Sequence, residues 1–388
     1  MGKKLSLKSY EIYGERHVQI INGTYADALV YSDDMEEYAR AQLKMICDNE
    51  VSKDSDIRVM SDVHPGKVGT IGLTMTIGER VIPHLLGVDI GCGMTCAKIK
   101  AKNIEMQKLD KVIRERVPAG FKVRESVHPK AEEFDLSALN CHRNINEDKA
   151  LRSLGTLGGG NHFIEADKGE DGSLYLVIHT GSRHTGKEVT DYYVDAGSRL
   201  LKESGENVSY EMTYLTGDLM EDYLSDVAVM TEYAALNRQI ILDEILRGMK
   251  LKAEEVFSCM HNYVGILPDG RRILRKGAIS AMEGERVIIP VNMRDGIIMG
   301  IGKGNPDWNY SAPHGSGRVL RRDEVKDHHT VSEFKKEMKG IYCTCIGAGT
   351  LDEAPFAYRG IEVLKEAVKD TVDIKEVLRP VFSFKGGN

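Results

Sequence analysis

The stretch GVDIGCGM, Gly87–Met94, places a carboxylate and a thiol between glycines at the end of an apolar segment. Asp89 and Cys92 can face one point if the backbone turns sharply between them, and glycine permits the backbone angles that such a turn requires. A carboxylate oxygen and a thiolate sulfur are both good ligands for a transition metal. A tight turn with an inert cysteine explains the same residues equally well, because free cysteine is commonly buried. The stretch by itself leaves both alternatives open.

The composition fits a folded enzyme and excludes wholesale disorder: the 388 residues are 41% hydrophobic and 29% charged. No apolar run is long enough to cross a bilayer, and the first residues lack the apolar core of a secretory signal, so we expect a cytoplasmic protein without membrane contact. The seven cysteines show no disulfide-framework spacing, which favours reduced thiols. The net charge of −7 argues against nucleic-acid binding by bulk positive charge, although it allows a local basic groove.

Several histidines stand at the ends of segments that are predicted to be strands. Apolar segments predict strands at 57–60, 174–178 and 256–260. The first leads into the loop Ser61–Lys67, and the other two end at His179 and His261. His162 lies between a glycine-rich loop and a further strand. A rigid sheet can aim side chains at its strand ends, so these positions are candidates for one shared site.

The remaining pattern predicts helices at 109–116, 187–202, 218–249 and 361–368, a surface excursion at 122–146 and a terminal strand at 381–384. Asp34 is predicted to cap a further helix, whose apolar stripe includes Tyr38 and is interrupted by Gln42. We find no internal repeat, low-complexity linker or domain boundary. The histidine-bearing loops run from residue 64 to residue 314, and their convergence would require a single α+β domain over residues 1–388, with mixed β-sheets around a central metal site and helices at the periphery.

Five side chains form a candidate ligand set for a metal site with two ions: Asp89, Cys92, His162, His179 and His261. A thiolate has lone pairs to bridge two cations, and imidazoles with one carboxylate suit Mn, Fe, Co or Zn better than Ca or Mg. Taken singly, each histidine is more often a hydrogen-bonded structural residue than a ligand. The placement of three of them beside apolar strands favours the metal site.

His314 lies between Pro313 and the run Gly315–Arg318. A neutral imidazole can attack phosphorus and become a covalent carrier, and flanking glycines would let phosphate oxygens meet backbone N–H groups. A histidine in an ordinary glycine-rich turn is the alternative, and these residues alone favour it. The sequence has no G-x-x-x-x-G-K-S/T motif, so a nucleotide would not be held by the usual phosphate-binding loop.

Seven phrases occur here in the order seen in the RtcB-type RNA ligases: SDVHPGK, GVDIGCGM, GTLGGGNHFIE, IHTGSR, HNY, PHGSGR and FKG. They extend from about Asp62 to Lys385, and the chain therefore resembles that family over most of its length. The resemblance implies a ligase that joins an RNA 3'-phosphate or 2',3'-cyclic phosphate end to a 5'-hydroxyl end, with GTP as cosubstrate and Mn(II), in two ions, as cofactor. It also implies an active-site histidine that becomes guanylylated, with RNA repair or tRNA splicing as the setting.

The resemblance assigns roles by position. The five candidate ligands match the family's metal ligands, with Cys92 as the bridge, His314 matches the guanylylated histidine, and Asp62 matches an active-site acid. The remaining matches are nucleotide positions at Asn161, Asn262 and Tyr358, guanine recognition at Glu165 and Lys385, and RNA-phosphate or triphosphate contacts at Arg183, Arg318 and Arg322. For Arg183 and Arg322 a surface salt bridge is an equally good expectation.

One segment departs from the family pattern. Family members commonly have a Pro-Gly-Ser-Met-Gly loop before the guanylylated histidine, whereas this chain has PVNMRD at 290–295. The departure suggests a divergent branch, with altered phosphate contacts and a narrower choice of RNA. Arg294 either binds phosphate directly or pairs with Asp295 without a catalytic role.

Two other functions are compatible with parts of the pattern. A metal-dependent RNA-end phosphohydrolase or cyclic phosphodiesterase would need the metal ligands but neither His314 nor Lys385. A non-catalytic protein that binds RNA ends is disfavoured, because the presumed ligands and His314 occur together. An archease-like activator is an optional partner of the ligase that the resemblance implies.

Overall fold

The computed structural model describes residues 10–13 and 16–386. The first residues of the chain, on which the expectation of no secretory signal rests, lie outside this range. Within it the strands are β1 (Tyr10–Tyr13), β2 (Arg16–Ile21), β3 (Ala28–Val30), β4 (Ile57–Pro65), β5 (Thr70–Thr76), β6 (Gly93–Ile99), β7 (Phe163–Lys168), β8 (Leu174–Thr180), β9 (Ala253–Met260), β10 (Asn262–Ile266), β11 (Arg272–Lys276), β12 (Ala278–Ser280), β13 (Arg286–Asn292), β14 (Gly296–Gly302), β15 (Ser311–Pro313) and β16 (Val372–Lys385).

The helices of the described residues are α1 (Glu37–Cys47), α2 (Pro83–Leu86), α3 (Met106–Arg116), α4 (Pro129–Glu132), α5 (Glu147–Ser153), α6 (Arg183–Glu203), α7 (Gly217–Met249), α8 (Val325–His328), α9 (Val331–Glu337) and α10 (Ile361–Val368). Short 3-10 turns occupy Glu50–Ser52, Leu136–Ala138, His142–Asn144, Tyr210–Met212, Pro306–Trp308, Ala348–Glu353 and Pro355–Ala357. Among the residues described, no helix combines the length and the apolar character needed to span a bilayer.

The described strands form two sheets of seven strands and one of two. The first large sheet has the order β1-β2-β3-β4-β5-β11-β10, and its β3–β4 pair is parallel while its other pairs are antiparallel. The second has the order β13-β14-β16-β7-β8-β6-β9 and is antiparallel throughout. The small sheet pairs β12 with β15. The chain crosses from the second large sheet to the first between β9 and β10, at His261.

Both faces of the second large sheet carry apolar residues, and helices pack against both of them. Successive strand residues point to opposite faces, and in β8 Val177 and Ile178 enter two different cores. Ile178 packs in a cluster with Ile241 of α7 and residues of α3, whereas Val177 shares a cluster with β13, β14 and Leu364 of α10. A third cluster joins the first sheet to α1, α2, α6 and α7. The mixed α+β class is thereby confirmed.

Two local predictions at the start of the chain were wrong. Asp34 does not cap α1: the residue before the helix is Glu36, which makes no side-chain cap bond, and the Asp34 side chain is 95% exposed. Tyr38, placed in the apolar stripe, is 62% exposed, whereas Gln42 is buried, with its amide bound to the Gly66 carbonyl oxygen at 2.8 Å. Helical periodicity gives no information about this hydrogen bond, because Gly66 lies outside the helix.

Other elements differ from the predictions in their extent. The segment Ser61–Lys67, expected as a loop, is mostly strand, since β4 continues to Pro65. The terminal strand predicted at 381–384 is the last part of the longer β16, and the helix predicted from residue 187 begins at Arg183. His64 is paired with Ile71 of β5, and Asp62 lies in β4 at the irregularity between the paired residues Val59 and His64.

Candidate active site

One edge of the second large sheet collects the candidate ligands. Because neighbouring strands alternate in direction, the end of β16, the start of β7, the end of β8, the start of β6 and the end of β9 all lie on this edge. The register forms a row across the strands, with Phe163 opposite both Lys385 and His179, and His179 opposite Met94. Chain segments that are distant in sequence thus meet without any long loop.

The five predicted ligands form two groups of three that share Cys92. Cys92 Sγ lies 3.6 Å from His162 Nε2 and 3.4 Å from His179 Nε2. On one side His162 Nε2 is 3.1 Å from an oxygen of Asp89, and on the other His179 Nε2 is 3.4 Å from His261 Nε2. In each group all ligand atoms lie within 4.8 Å of one another. Two cations with a shared sulfur ligand would fit this arrangement.

In His162 and His179, the hydrogen bond made by Nδ1 determines which ring nitrogen is available to a metal. His162 Nδ1 lies 3.0 Å from the Leu157 carbonyl oxygen, and His179 Nδ1 lies 3.2 Å from that of Asn161. A carbonyl only accepts, so both Nδ1 atoms donate, and the two Nε2 atoms, which face the cluster, are the ones that a metal would use. His261 Nδ1 is buried and has no hydrogen-bond partner among the described residues.

Burial sets the charge state of this cluster. It lowers the pKa of His179 and His261 well below the usual value, so both rings are neutral near pH 7, as ligands must be. Burial, reinforced by the charge of Asp89, raises the pKa of the Cys92 thiol. Burial would also raise the pKa of Asp89, but the hydrogen bond and charge of His162 hold it at about 2. This donor set of one thiol, one carboxylate and three imidazoles fits a transition metal that displaces the thiol proton.

Two adjacent residues of α7, Asn237 and Arg238, hold the ligand-bearing loops in place. Both are fully buried. The Asn237 side chain accepts from two backbone N–H groups of the glycine-rich loop and donates to the Gly181 carbonyl at 2.9 Å. Arg238 Nη1 donates to the carbonyls of Gly91 and Thr180 at 2.8 and 2.9 Å. One turn of one helix therefore fixes the distances between the ligands, a role that nothing in the sequence pattern had indicated.

His314 and Asp62 form the second part of the site. His314 follows β15, Asp62 lies in β4, and His314 Nδ1 is 2.6 Å from Asp62 Oδ2. The same oxygen accepts the backbone N–H groups of His314 and Gly315 at 3.1 and 3.2 Å. The carboxylate thus fixes the ring and its tautomer, with the proton on Nδ1 and the lone pair on Nε2. The ring centroid of His314 lies 4.8 Å from that of His261, so this histidine adjoins the metal cluster.

A cleft opens from His314 and is lined by most of the predicted nucleotide residues. Those that line it are Asn161, Glu165, Arg318, Arg322, Tyr358 and Lys385. His64 also lines it, and burial lowers the pKa of that histidine to about 4, which keeps the ring neutral. His64 stood in the quoted motif SDVHPGK but was given no role from the sequence.

Glu353, which the sequence analysis missed, is the hub of the cleft's far wall. It is 2% exposed and binds Lys385 Nζ at 2.7 Å, the Tyr358 hydroxyl at 2.7 Å, and Arg322. Arg318 lies 3.5 Å away and also donates to the Tyr358 hydroxyl. Burial would raise the pKa of Glu353, but the charges of Lys385 and Arg322 lower it to about 2. Glu353 lies in a 3-10 turn outside every motif, so no sequence signal pointed to it.

Glu165 forms the other side of this wall and is in a different electrostatic state. It is buried, and Ser383 donates to its Oε1 at 3.0 Å. Burial raises its pKa to about 7, although the charge of Lys385 opposes that shift. Asp167, two residues along β7, is fully buried without a hydrogen-bond partner among the residues described, and burial raises its pKa well above the usual value. Asp167 is consequently a neutral acid beneath the cleft.

Two predicted contacts lie outside the cleft lining. The Asn262 side chain donates to the Asp89 carbonyl oxygen at 3.3 Å and accepts from the Gly277 N–H at 2.9 Å, so it supports the loop that carries the candidate ligands Asp89 and Cys92. Arg183 is half-buried, and its guanidinium donates to Thr156 Oγ1 at 3.1 Å and to the Gly120 carbonyl oxygen. The surface salt bridge suggested for Arg183 is absent among the described residues.

One part of the divergent segment 290–295 lines the cleft, and another part forms ion pairs. Pro290, Asn292 and Met293 line the cleft. Arg294 pairs with Asp295, at 2.8 Å between Nε and Oδ1, and with Glu337. Of the two expectations for Arg294, the structure agrees with the ion pair. Arg322 likewise is paired, with Asp352 at 2.7 Å and with Glu353, while it also lines the cleft.

Comparison with known proteins gives a consistent result. The family model described as tRNA-splicing ligase RtcB matches two overlapping segments, residues 49–148 and 133–386. The RNA-splicing ligase RtcB1 of Escherichia coli is 31% identical, over 85% of this chain and 90% of its own. The tRNA-splicing ligase RtcB of Aeropyrum pernix is 27% identical over 92% and 95%, and that of Methanococcus maripaludis is 23% identical over 99% of both chains. These matches cover the strands that present the two ligand groups and His314, and the chain belongs to the RtcB family.

Proposed function

We propose that the chain is an RNA ligase that joins an RNA 3'-phosphate or 2',3'-cyclic phosphate end to a 5'-hydroxyl end, using GTP and Mn(II). The observation that carries the proposal is the position of His314. Its Nδ1 is bound to Asp62 at 2.6 Å, and its ring adjoins both the candidate metal ligands and the cleft. A neutral imidazole that lines a cleft and keeps a lone pair on Nε2 is suited to nucleophilic attack on phosphorus.

In the first step, His314 Nε2 would attack the α-phosphorus of GTP, the bond to the β-phosphate would break, and pyrophosphate would leave. The ring becomes a cation when Nε2 is phosphorylated while Nδ1 keeps its proton. Asp62, at 2.6 Å, would stabilise that cation and hold the ring in the attacking orientation. Asp62 therefore acts on the nucleophile and has no need to take its proton.

The RNA steps would act on two phosphorus atoms, that of the GMP on His314 and that of the RNA 3'-phosphate. Water first opens a cyclic phosphate to a 3'-phosphate. The 3'-phosphate then takes GMP from His314, which leaves as a neutral ring, and the 5'-hydroxyl oxygen displaces GMP to form the new phosphodiester. Negative charge accumulates on phosphate oxygens at each transfer, and Arg318 and Arg322 in the cleft are the cationic side chains placed to stabilise it.

Guanine recognition would fall to the wall that contains Glu165 and Lys385. A carboxylate can accept from the two N–H groups on the Watson–Crick edge of guanine, and an ammonium can donate to its O6. In the register of β7 and β16, Glu165 lies opposite Ser383 and Lys385 lies opposite Phe163, so Glu165 and Lys385 are diagonal neighbours on one face of the sheet. Asn161 and Tyr358 line the same cleft and would contact the remainder of the nucleotide.

Manganese would be held by Asp89, Cys92, His162, His179 and His261, whose two groups of ligand atoms share Cys92. Bound there, Mn(II) supplies Lewis-acid polarisation of phosphate oxygens beside His314. We further propose that residues 1–388 act as one domain, because the site draws on residues from Asp62 to Lys385. An archease-like activator, a cytoplasmic location and a role in tRNA splicing or RNA repair belong to the same proposal.

The deciding experiment is transfer of labelled GMP to the protein. With α-labelled GTP and Mn(II), we expect an acid-labile adduct that maps to His314 and is absent in His314→Ala. His328→Ala is the matched control, because His328 is an exposed histidine of α8 and should not affect labelling. Ligation of RNA with defined ends should fail in the same variant that loses the adduct.

The alternative activities predict a different outcome. A phosphohydrolase or cyclic phosphodiesterase would process RNA ends in His314→Ala as well as in the wild type, and it would need no GTP. Absence of any adduct on the wild-type protein, with intact RNA-end hydrolysis, would replace the ligase by that alternative. Binding of RNA ends without turnover under any metal would support the non-catalytic alternative.

A further inference from the structure

Cys343 and Cys345 differ from the other cysteines of the chain. The remaining five are buried, whereas these two are half-exposed. Their sulfur atoms lie 3.2 Å apart, although the residues are not adjacent in sequence. Neither residue belongs to the metal cluster or to a motif of the family resemblance.

The backbone between the two cysteines is held in the bend that brings the sulfurs together. Thr344, at the bend, donates its hydroxyl to Asp110 Oδ1 at 2.6 Å and accepts from Arg114 Nη2 at 2.6 Å, so α3 anchors it. Because the side chain of Thr344 is bound on one side, the two flanking side chains project together on the other. The proximity of the sulfurs is thus built into the fold.

The surroundings of Cys345 favour its thiolate. The Lys385 backbone N–H donates to Cys345 Sγ at 3.3 Å, and the Cys343 thiol is placed to donate as well. These two donors and the charge of Lys385 lower the pKa of Cys345 to about 7 against the effect of burial, while the pKa of Cys343 is raised. A thiol with a pKa near the ambient pH is the best attacking group in thiol–disulfide exchange.

Cys345 is also reachable. It lines an open cleft of about 490 Å³, on the far side of Lys385 from His314, together with the cationic side chains of Arg114 and Lys122. A volume of this size is within the range of small-molecule sites. Arg114 is paired with Asp110 at 2.9 Å, so the exposed Lys122 provides the charge that favours an anionic reactant, such as a peptide-like disulfide with free carboxylates.

We propose that Cys343 and Cys345 form a redox-active dithiol, which small anionic disulfides oxidise to an intramolecular disulfide. The Cys345 thiolate attacks one sulfur of the small disulfide; that S–S bond breaks, a mixed disulfide forms, and the first small thiolate leaves and takes a proton. Cys343 then loses its proton and attacks the Cys345 sulfur, which releases the second small thiolate. Two electrons and two protons pass from the protein to the small disulfide, which becomes two thiols.

Oxidation would alter the neighbouring cleft through Lys385. The sulfurs must approach from 3.2 Å to about 2 Å, the length of a disulfide bond, and the thiolate charge disappears. Lys385 then loses its thiolate acceptor at the backbone, while its Nζ holds Glu353 in the cleft that adjoins His314. This consequence rests on the proposed function, because it treats Lys385 as a nucleotide contact.

The test of the dithiol measures thiols and mass in the folded protein. In glutathione buffers of increasing oxidised fraction, the wild type should lose two alkylatable thiols and about 2 Da of mass. Peptide mapping should place the new disulfide between Cys343 and Cys345. Cys343→Ser should stop at a glutathione adduct on Cys345, and Cys345→Ser should react much more slowly at Cys343. Retention of both thiols in the most oxidising buffer, or an adduct that forms first on Cys343, would overturn the proposal.

A second measurement tests the coupling to the cleft. If Lys385 loses one charge-assisted hydrogen bond, the GTP concentration for half-maximal adduct formation should rise about tenfold on oxidation and recover with dithiothreitol. The Cys343→Ser/Cys345→Ser protein should show no such dependence on oxidant. An unchanged GTP concentration in the oxidised wild type would refute the coupling. If even the reduced protein forms no GMP adduct, the ligase function fails, while the mass result still decides the dithiol.

Discussion

At the residue scale, the carboxylate of Asp62 sets the position of His314. One oxygen, Oδ2, accepts the ring Nδ1–H and two backbone N–H groups, so a single atom orients the ring that we propose as the nucleophile. The arrangement resembles the carboxylate–histidine pair of hydrolases, where the acid fixes the tautomer and stabilises the cationic ring. It differs in that the histidine itself would form the covalent bond.

Asp62→Asn should retain the fold but slow labelling of His314 by GMP about a hundredfold or more, since the cationic ring loses its counter-charge. Asp34→Asn is the matched control, because the Asp34 side chain is 95% exposed and forms no hydrogen bond with Asp62 or His314. Single-turnover labelling with saturating GTP measures the rate. Equal rates in the two variants would show that Asp62 is only a structural acceptor.

Glu353 should make the stability of the protein depend on pH in the acidic range. Its pKa is lowered from 4.5 to about 2, so its stabilising effect is complete above pH 4.5 and is lost as pH falls towards 2. A shift of this size corresponds to about 3 kcal/mol. We expect Glu353→Gln to lower the free energy of unfolding by about that amount at pH 7 and by little near pH 2.

Urea unfolding at several pH values measures this difference. Glu362→Gln is the control: that residue is 80% exposed and pairs with Lys365 on the surface of α10, so its effect should stay within about 0.5 kcal/mol. A Glu353→Gln deficit that persists unchanged at the lowest pH would mean that packing, and not the lowered pKa of the carboxyl, stabilises this wall.

At the element scale, α7 and the sheet edge together create the ligand geometry. Three candidate ligands, His162, His179 and His261, could be recognised in the sequence because each stands beside an apolar strand. Asp89 and Cys92 could be recognised because they lie in the glycine-rich stretch before β6. The sequence could not identify Asn237 and Arg238, whose partners are backbone carbonyl and amide groups more than 50 residues away. In a helical stripe such residues look like polar interruptions, and Gln42 in α1 shows the same difficulty. Glu353 was missed because its four partners come from three separate segments.

Gly91 shows how closely α7 approaches the metal-binding loop. Its φ is +70°, and an added Cβ would lie 2.8 Å from Ala234 Cβ and 2.9 Å from Thr231 Cα, both in α7. Gly91→Ala should therefore cost about 4 kcal/mol of stability, from the clash and the left-handed backbone together, and should weaken metal binding. Gly172→Ala is the matched control, since Gly172 has φ +77° but no neighbouring atom within 4 Å. That variant should lose only about 1 kcal/mol.

Thermal unfolding and manganese titration of both glycine variants provide the measurement. The informative comparison is between two alanines with the same backbone strain and different surroundings. If Gly172→Ala were as damaging as Gly91→Ala, the strain of a positive φ would explain both, and the contact with α7 would have no special role.

At the scale of the whole molecule, the fold brings together two sets of candidate active-site residues that come from different sheets. The candidate metal ligands lie at or near strand ends of the second large sheet, while Asp62 lies in β4 of the first sheet and His314 directly follows β15 of the small sheet. The α+β class and the convergence of distant loops were predictable from the spread of the motifs. The division between sheets was not, because strand order depends on long-range pairing that local patterns do not encode.

The sharing of Cys92 between two ligand groups leads to a prediction about metal stoichiometry. Asp89 and His162 belong to one group, and His179 and His261 belong to the other, with Cys92 common to both. The wild type should bind two Mn(II) ions, and His162→Ala and His261→Ala should each retain one, from opposite groups. Cys92→Ala should lose both, because each group would keep only two of its three ligands.

Metal binding should also stabilise the whole fold, since the ligands of both groups are placed together only in the native state. At a free Mn(II) concentration a hundredfold above Kd, one site contributes about 2.7 kcal/mol to the free energy of unfolding. Thermal unfolding with Mn(II), compared with chelator, should show a large rise for the wild type, a smaller one for each histidine variant and none for Cys92→Ala. Mg(II) should have little effect, because it prefers oxygen ligands and this set has one carboxylate among five. An equal rise in unfolding temperature with Mg(II), or an undiminished rise in Cys92→Ala, would indicate that Gly87–Met94 is only a structural turn.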